Sequence, residues 1–324
     1  YNKEPLFAQN CHEIVHEIGS VAYGMYAKNT HFTLTPKTAY CSYGFYHAFM
    51  ENFVLSGVSP KKIRDFCLTV DKQLGSQTPD AFLQCFHGIG HGALNIRDLA
   101  AWGNENALLG PALKLCKEVS ATKGELSRCA TGAFNTLALA YIKGDYRLSL
   151  KRDDPLWICR KQVEYHKRDC YISMNIVLMW LTQNDFPRAA KFVEGIPEDT
   201  YAIPAIRNLA AVVALSYFNI KDYTTPILDC RALQERLRFS CLQGFAYGFL
   251  EHGVPEREYI KPLDFCQSAM LTDPEKRACL GYIFSYFVQW YPLRKAYQIC
   301  DTLEKAQRQF CYDEVSRASK TRSL

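Results

Sequence analysis

The sequence predicts an all-α protein, a solenoid or superhelix of αα-hairpin repeats stapled by about seven disulfides. Three observations lead there. A skeleton Cys-x-x-Gly-x-x-polar recurs down the chain, at Cys41-Ser-Tyr-Gly44-Phe-Tyr-His47, Cys85-Phe-His-Gly88-Ile-Gly-His91, Cys129-Ala-Thr-Gly132-Ala-Phe-Asn135 and Cys241-Leu-Gln-Gly244-Phe-Ala-Tyr247, with looser versions at Cys170 and Cys279. The fourteen cysteines fall into neighbouring couples. Strand signals are nearly absent.

Taken in order, Leu6 to Lys28 carries helical periodicity, Thr30 to Thr38 is a loop around Pro36, and a second helix runs from Tyr40 to Leu55 and stops near Gly57. Ser59-Pro60 is an N-cap with proline at the first helical position, and Thr78-Pro79 repeats that signal before Cys85. Beyond this, two kinds of helix alternate. One kind ends in a cysteine, at Cys116, Cys159, Cys230, Cys266 and Cys300. The other begins with one, at Cys85, Cys129, Cys170, Cys241, Cys279 and Cys311, in steps of about 40 residues. The step from Cys170 to Cys241 is double, so it holds a repeat without cysteine whose apolar helix is Ile206 to Phe218. A period of this size marks an αα-solenoid, and no linker interrupts it. The chain therefore reads as one domain over 1–324: a histidine-rich part (1–97), further repeats (98–318) and a polar tail (319–324).

The couples are Cys11 with Cys41, Cys67 with Cys85, Cys116 with Cys129, Cys159 with Cys170, Cys230 with Cys241, Cys266 with Cys279, and Cys300 with Cys311. In the last five, ten to twelve residues separate the partners, enough to end one helix, turn and begin the next. Each couple is read as a disulfide across a hairpin, which implies an oxidising compartment, secreted or periplasmic. Thiolate zinc sites usually show Cys-x2-4-Cys spacing, and no such pair occurs. A first residue Tyr1 fits a leader removed on export. At 48% hydrophobic the chain can bury a large interior, and a net charge of +5 with interspersed signs gives no basic stripe for nucleic acid. The longest apolar stretches fall short of the ~20 residues of a spanning helix.

In architecture, residues 59 to 318 resemble the disulfide-stapled members of the Sel1-like and tetratricopeptide-like repeat class. Their period is looser than that of Sel1-like repeats, and the Leu-Gly-x-x-Tyr core is not kept. The resemblance implies a scaffold that binds a partner, whether a small molecule, a peptide, a protein or a sugar, on its concave face.

Five of the eight histidines crowd the first third in register with the repeat. Residues four apart share a helix face, so His12 with His16, and His87 with His91, can each present two imidazoles to one ion. His47 and His91 both stand six residues after a leading cysteine, and His47 has Glu51 one turn on. Neutral imidazoles with a carboxylate suit a divalent transition metal, zinc first and copper or iron next. Tyr43, Asn95, Asn135, Tyr247 and Glu251 occupy neighbouring or matching places and extend the histidines into a polar ladder available to a substrate. The alternating Gly88, Gly90 and Gly92 mark either a close approach of backbone or ligand, or a segment not fully helical.

His12-Glu13-Ile14-Val15-His16 is similar to the His-Glu-x-x-His motif of zincins. That resemblance implies two zinc-holding histidines and a glutamate base, in local chemistry and not in fold. Glu13, Glu17 and Glu51 are thus the candidate catalytic bases, and the candidate metal ligands are His12, His16, His47, His87 and His91. His31, His166 and His252 read as structural or solvated, His166 within a charged turn. With every cysteine paired, no thiol nucleophile is left. Two functions fit: a metal-dependent enzyme, either a zinc hydrolase or a copper or iron oxidoreductase, or a non-catalytic binding scaffold.

Overall fold

In the computed structural model, which describes residues 5–28, 33–220 and 222–322, the chain is all-α, with seventeen α-helices and no strand among those residues. They are α1 (Pro5–Ala27), α2 (Gly44–Leu55), α3 (Pro60–Leu74), α4 (Ala81–Gly92), α5 (Glu105–Val119), α6 (Lys123–Lys143), α7 (Trp157–Arg160), α8 (Glu164–Ser173), α9 (Asn175–Leu181), α10 (Phe186–Glu194), α11 (Asp199–Ala214), α12 (Thr224–Ala232), α13 (Glu235–Glu251), α14 (Ile260–Cys266), α15 (Asp273–Trp290), α16 (Leu293–Asp301) and α17 (Lys305–Arg322). None is long and apolar enough to cross a membrane.

Packing gathers the chain, read above as one domain over 1–324, into two compact units. The first comprises Gln9–Leu74 with Ala81–Phe192; the second holds the chain from Val193 onward together with Gly75–Asp80. Each is built on the same plan. In the first, α2 lies on α4, α4 on α6 and α6 on α8; in the second, α11 lies on α13, α13 on α15 and α15 on α17. Among these inner helices, the Cys-x-x-Gly skeleton lies within α4, α6 and α13 and leads into α2, while α8, α15 and α17 keep the cysteine without the matching glycine. An outer helix precedes most of them and folds back as the other arm of a hairpin, as in α3 with α4, α5 with α6, α12 with α13 and α16 with α17. The double-length step holds the cysteine-free helix α11, which starts earlier than Ile206 and ends before Phe218.

Seven disulfides join Cys11–Cys41, Cys67–Cys85, Cys116–Cys129, Cys159–Cys170, Cys230–Cys241, Cys266–Cys279 and Cys300–Cys311. They suit an oxidising compartment. From Cys67–Cys85 onward each ties an outer arm to an inner one. The inner helices do not begin at their cysteines, as the spacing predicts. α6, α8, α13, α15 and α17 each begin six residues earlier, because the turns are tighter than the couples suggest. The extra turn supplies caps: Thr122 accepts from Glu125 N–H, and the Glu275 carboxylate accepts from Thr272 N–H at 2.8 Å.

Glu125 and Glu275 both stand four residues before the inner cysteine, are 4% and 8% exposed, and hold Arg64 and Arg231 in charge-assisted hydrogen bonds of 2.6 Å. Hydrogen bonding to Arg231 lowers the Glu275 carboxyl to about 2.

One further boundary differs from expectation. α2 starts at Gly44 and not Tyr40, because Cys41, Ser42 and Tyr43 adopt left-handed backbone (φ 57°, 55° and 61°) to bring Cys41 to Cys11. Within the polar tail, α17 continues to Arg322.

The interior is aromatic. Phe49 stacks on Phe66 at 4.6 Å in the first unit, and Phe249 meets Phe265 at 5.4 Å in the second. Inner helices approach one another through glycine. A Cβ on Gly90 of α4 would stand 2.0 Å from the Cys129 carbonyl oxygen of α6, and one on Gly132 of α6 would stand 2.0 Å from the His87 carbonyl oxygen. The glycines around the histidines thus serve close backbone packing, within a segment that is helical throughout.

Candidate metal centre

Close packing of α1, α2 and α4 brings all five candidate ligands together. His12 and His16 share one face of α1, His47 projects from the first turn of α2, and His87 and His91 lie one turn apart on α4. Ring centroids are 4.7 Å apart for His12 and His16, 5.1 Å for His12 and His47, 4.8 Å for His47 and His87, and 4.8 Å for His87 and His91. The nitrogens form two triads, His12/His16/His47 and His47/His87/His91, within each of which one donor atom per ring lies within 4.8 Å of the others. His47 belongs to both.

The ring orientations are fixed from outside. His12 donates from Nδ1 to the Cys41 carbonyl at 2.9 Å. Thr131 Oγ1 gives its proton to the Arg128 carbonyl at 2.8 Å, so it accepts from His87 Nδ1–H at 3.0 Å. Thr136 Oγ1 lies 3.3 Å from His91 Nδ1 and within 3.2 Å of the His91 and Gly132 carbonyl oxygens. Three rings therefore have Nδ1 held by a neighbour and present Nε2 to the cluster, the arrangement by which an outer partner fixes a ligating imidazole. His87 Nε2 and His91 Nε2 face each other at 3.1 Å, and His16 Nε2 lies 3.4 Å from His47 Nδ1. His47 Nε2 is buried without a hydrogen-bond partner.

Burial favours the neutral form of four of these rings, His16, His47, His87 and His91. It lowers His16 to about 4, with the nearby His12 adding to the effect and Glu13 opposing it. Burial, then the Arg128 charge, lowers His87 to about 3; burial and neighbouring imidazoles hold His47 and His91 well below the ordinary value. Near neutral pH the cluster is an array of lone pairs in a poorly solvated place, the state that a cation requires of its ligands.

The sign of the pH effect follows. Depressed imidazoles leave the folded protein unprotonated while the unfolded chain takes up protons below about pH 6.5, so stability is full above that value and falls as the pH drops toward 4. Burial raises the Glu51 carboxyl, which acts in the opposite sense. At roughly 1 kcal/mol per histidine by pH 5, the metal-free protein should melt several degrees lower there than at pH 7. Calorimetry in chelator checks this, and a melting temperature flat between those pH values would contradict buried neutral imidazoles.

The three candidate carboxylates lie outside the two triads. Glu13 and Glu17 are exposed on α1, and Glu51 is half-buried on α2, where Lys143 and Tyr146 are its charged and polar surroundings. Of the ladder residues, Tyr43 is buried at the start of α2 and stacks toward Tyr46 at 6.5 Å. Asn95 lies past the end of α4, its amide reaching Asp98 at 3.5 Å. Asn135 is half-buried on α6, and Tyr247 and Glu251 belong to α13 of the second unit. From α6, Thr131, Thr136 and the backbone of Arg128 meet the histidines. Thr131 was findable, since it stands two after Cys129 as His87 stands two after Cys85.

His166 is not in a turn: it is 3% exposed within α8, 3.8 Å from Asp169. His252 caps α13, and His31 lies outside the described residues.

Fold and site together define a disulfide-stapled all-α protein with a five-histidine cluster in its first unit. Compared with known proteins, the chain matches no family model, no curated protein and no solved structure.

Proposed function

We propose that the five-histidine cluster binds a divalent transition metal and that the protein is a secreted or periplasmic metal-dependent enzyme. One observation carries the reading: five imidazoles from three helices converge, three of them held from behind by Cys41, Thr131 and Thr136. A nitrogen-only donor set favours zinc, copper or iron over magnesium or calcium. Zinc would supply Lewis acidity for hydrolysis, and copper or iron one-electron chemistry with O2. Glu51, one helical turn beyond His47 with its carboxyl raised by burial, and Glu13, whose charge reaches His16, are the candidate proton acceptors.

The test is elemental analysis of protein purified without an affinity histidine tag or chelator, beside a His12→Ala/His16→Ala/His87→Ala/His91→Ala variant whose helicity is checked by circular dichroism. Retained zinc, copper or iron that disappears in the variant is the expected result. Protein that stays empty when all three ions are offered would retire the reading.

A second reading is the Sel1-like scaffold, and the second unit favours it. Tyr247 lies 5.0 Å from Tyr286 and 6.2 Å from Trp290, Tyr282 lies 4.8 Å from Tyr286, and the Arg207 guanidinium rests over Tyr282 at 4.5 Å. Half-buried rings beside a cation suit a peptide or a sugar. Binding that survives in the quadruple histidine variant would support this reading.

A further inference from the structure

Resting on the metal-binding reading, we infer that the cluster holds two ions and that His47 bridges them, one ring nitrogen on each. The donor arithmetic points there. Each triad is complete only if it includes His47, because His12 and His16 supply two nitrogens to one side and His87 and His91 two to the other. A single ion cannot use all five rings by the same rule. The pairs come from different helices, and His16 approaches His47 while His91 approaches His87.

His47 has the two faces that bridging requires. Its Nδ1 is directed to His16 Nε2 at 3.4 Å, on the side of the first triad. Its Nε2 is buried and unpartnered, although burying a ring nitrogen without a hydrogen bond is costly. In the second triad this atom has a use. The four other rings each need only one donor: His12, His87 and His91 have Nδ1 engaged outward, which leaves Nε2 for an ion. Each ion then has three nitrogens, as in open three-ligand sites, with further positions for exogenous ligands.

Coordination at both nitrogens displaces the ring N–H proton of His47, which leaves to water as the second ion binds. No oxidation or reduction is involved. The imidazolate so formed carries one negative charge between two dications, which offsets part of their repulsion at close range. Copper(II) and zinc(II), both borderline acceptors of imidazole nitrogen, are the ions it suits.

The experiment is titration of the metal-free protein with copper(II), read by calorimetry for stoichiometry and by electron paramagnetic resonance for spin count. Two equivalents are expected, with an integrated signal well below two spins because the bridge couples the ions. His12→Ala/His16→Ala and His87→Ala/His91→Ala should each drop the stoichiometry from two to one and restore a full single-spin signal. One equivalent in the unaltered protein, or two with two independent spins, would overturn the bridge and leave metal binding standing. No uptake at all would overturn both. The spin count is read on the unaltered chain, so a variant that fails to fold does not spoil the test.

Discussion

Reductant without denaturant is expected to unfold the protein, or to lower its melting temperature by more than about 10 °C. Five of the seven bridges close loops of 11 to 13 residues across a hairpin. In the chain-entropy model each such loop contributes up to about 3 kcal/mol, against a net stability of about 5–15 kcal/mol for a folded domain. Even a third of that figure for each bridge, about 7 kcal/mol in all, rivals the whole. The thirteen cysteines other than Cys41 are buried, so reductant reaches most sulfurs only through opening of the hairpins. Cys41 is the half-buried exception, and mass spectrometry should find Cys11–Cys41 reduced first. An unchanged melting curve after reduction verified by mass would contradict the stapled hairpin as the source of stability.

Gly90→Ala should lower stability by about 3 kcal/mol or more, at the upper end of what one added methyl costs in a packed interior. Its Cβ would meet backbone on three sides: the Cys129 carbonyl oxygen at 2.0 Å, Ala133 N at 2.6 Å and Gly132 Cα at 2.8 Å. Backbone cannot rotate aside as a side chain can, so α4 and α6 must separate. The same separation pulls His87 from Thr131 and His91 from Thr136, so copper affinity should fall as well. Gly24 of α1 is the contrast, since nothing lies within 4 Å of the place its Cβ would take. Gly24→Ala should be neutral or stabilising by up to about 1 kcal/mol, as alanine outranks glycine in a helix. Urea unfolding of the two variants decides the matter, and equal midpoints would show that the crossing is not close.

The repeat and the cystine couples were legible because they are written at short range: a hairpin places its two cysteines within a dozen residues, and the skeleton marks several inner helices. His12, His16, His47, His87 and His91 were legible as a group through helical spacing and shared register. Helix starts were less so. A cysteine six residues inside a helix looks, in sequence, like one at its beginning, and the left-handed Cys41–Tyr43 turn carries no glycine to announce it. Thr131 and Thr136 escaped because a threonine in an apolar helix looks like ordinary packing. Only the partner across the α4/α6 crossing gives it a role. Gly90 and Gly132 carried an ambiguous signal, ligand or backbone, that the identity of the neighbouring helix resolves.

Every bridge joins cysteines that are consecutive in the chain, from Cys11–Cys41 to Cys300–Cys311. Fourteen thiols can be paired in on the order of 10^5 ways, by the same counting that gives 105 for eight. A chain threaded into an oxidising compartment from its amino end meets this problem one couple at a time, because each thiol's proper partner is the next to emerge. An oxidase that simply joins each newly exposed thiol to its predecessor would write the whole native set without an isomerase. The order of the cysteines is thus an assembly instruction that can be read as the chain emerges, before any unit is complete.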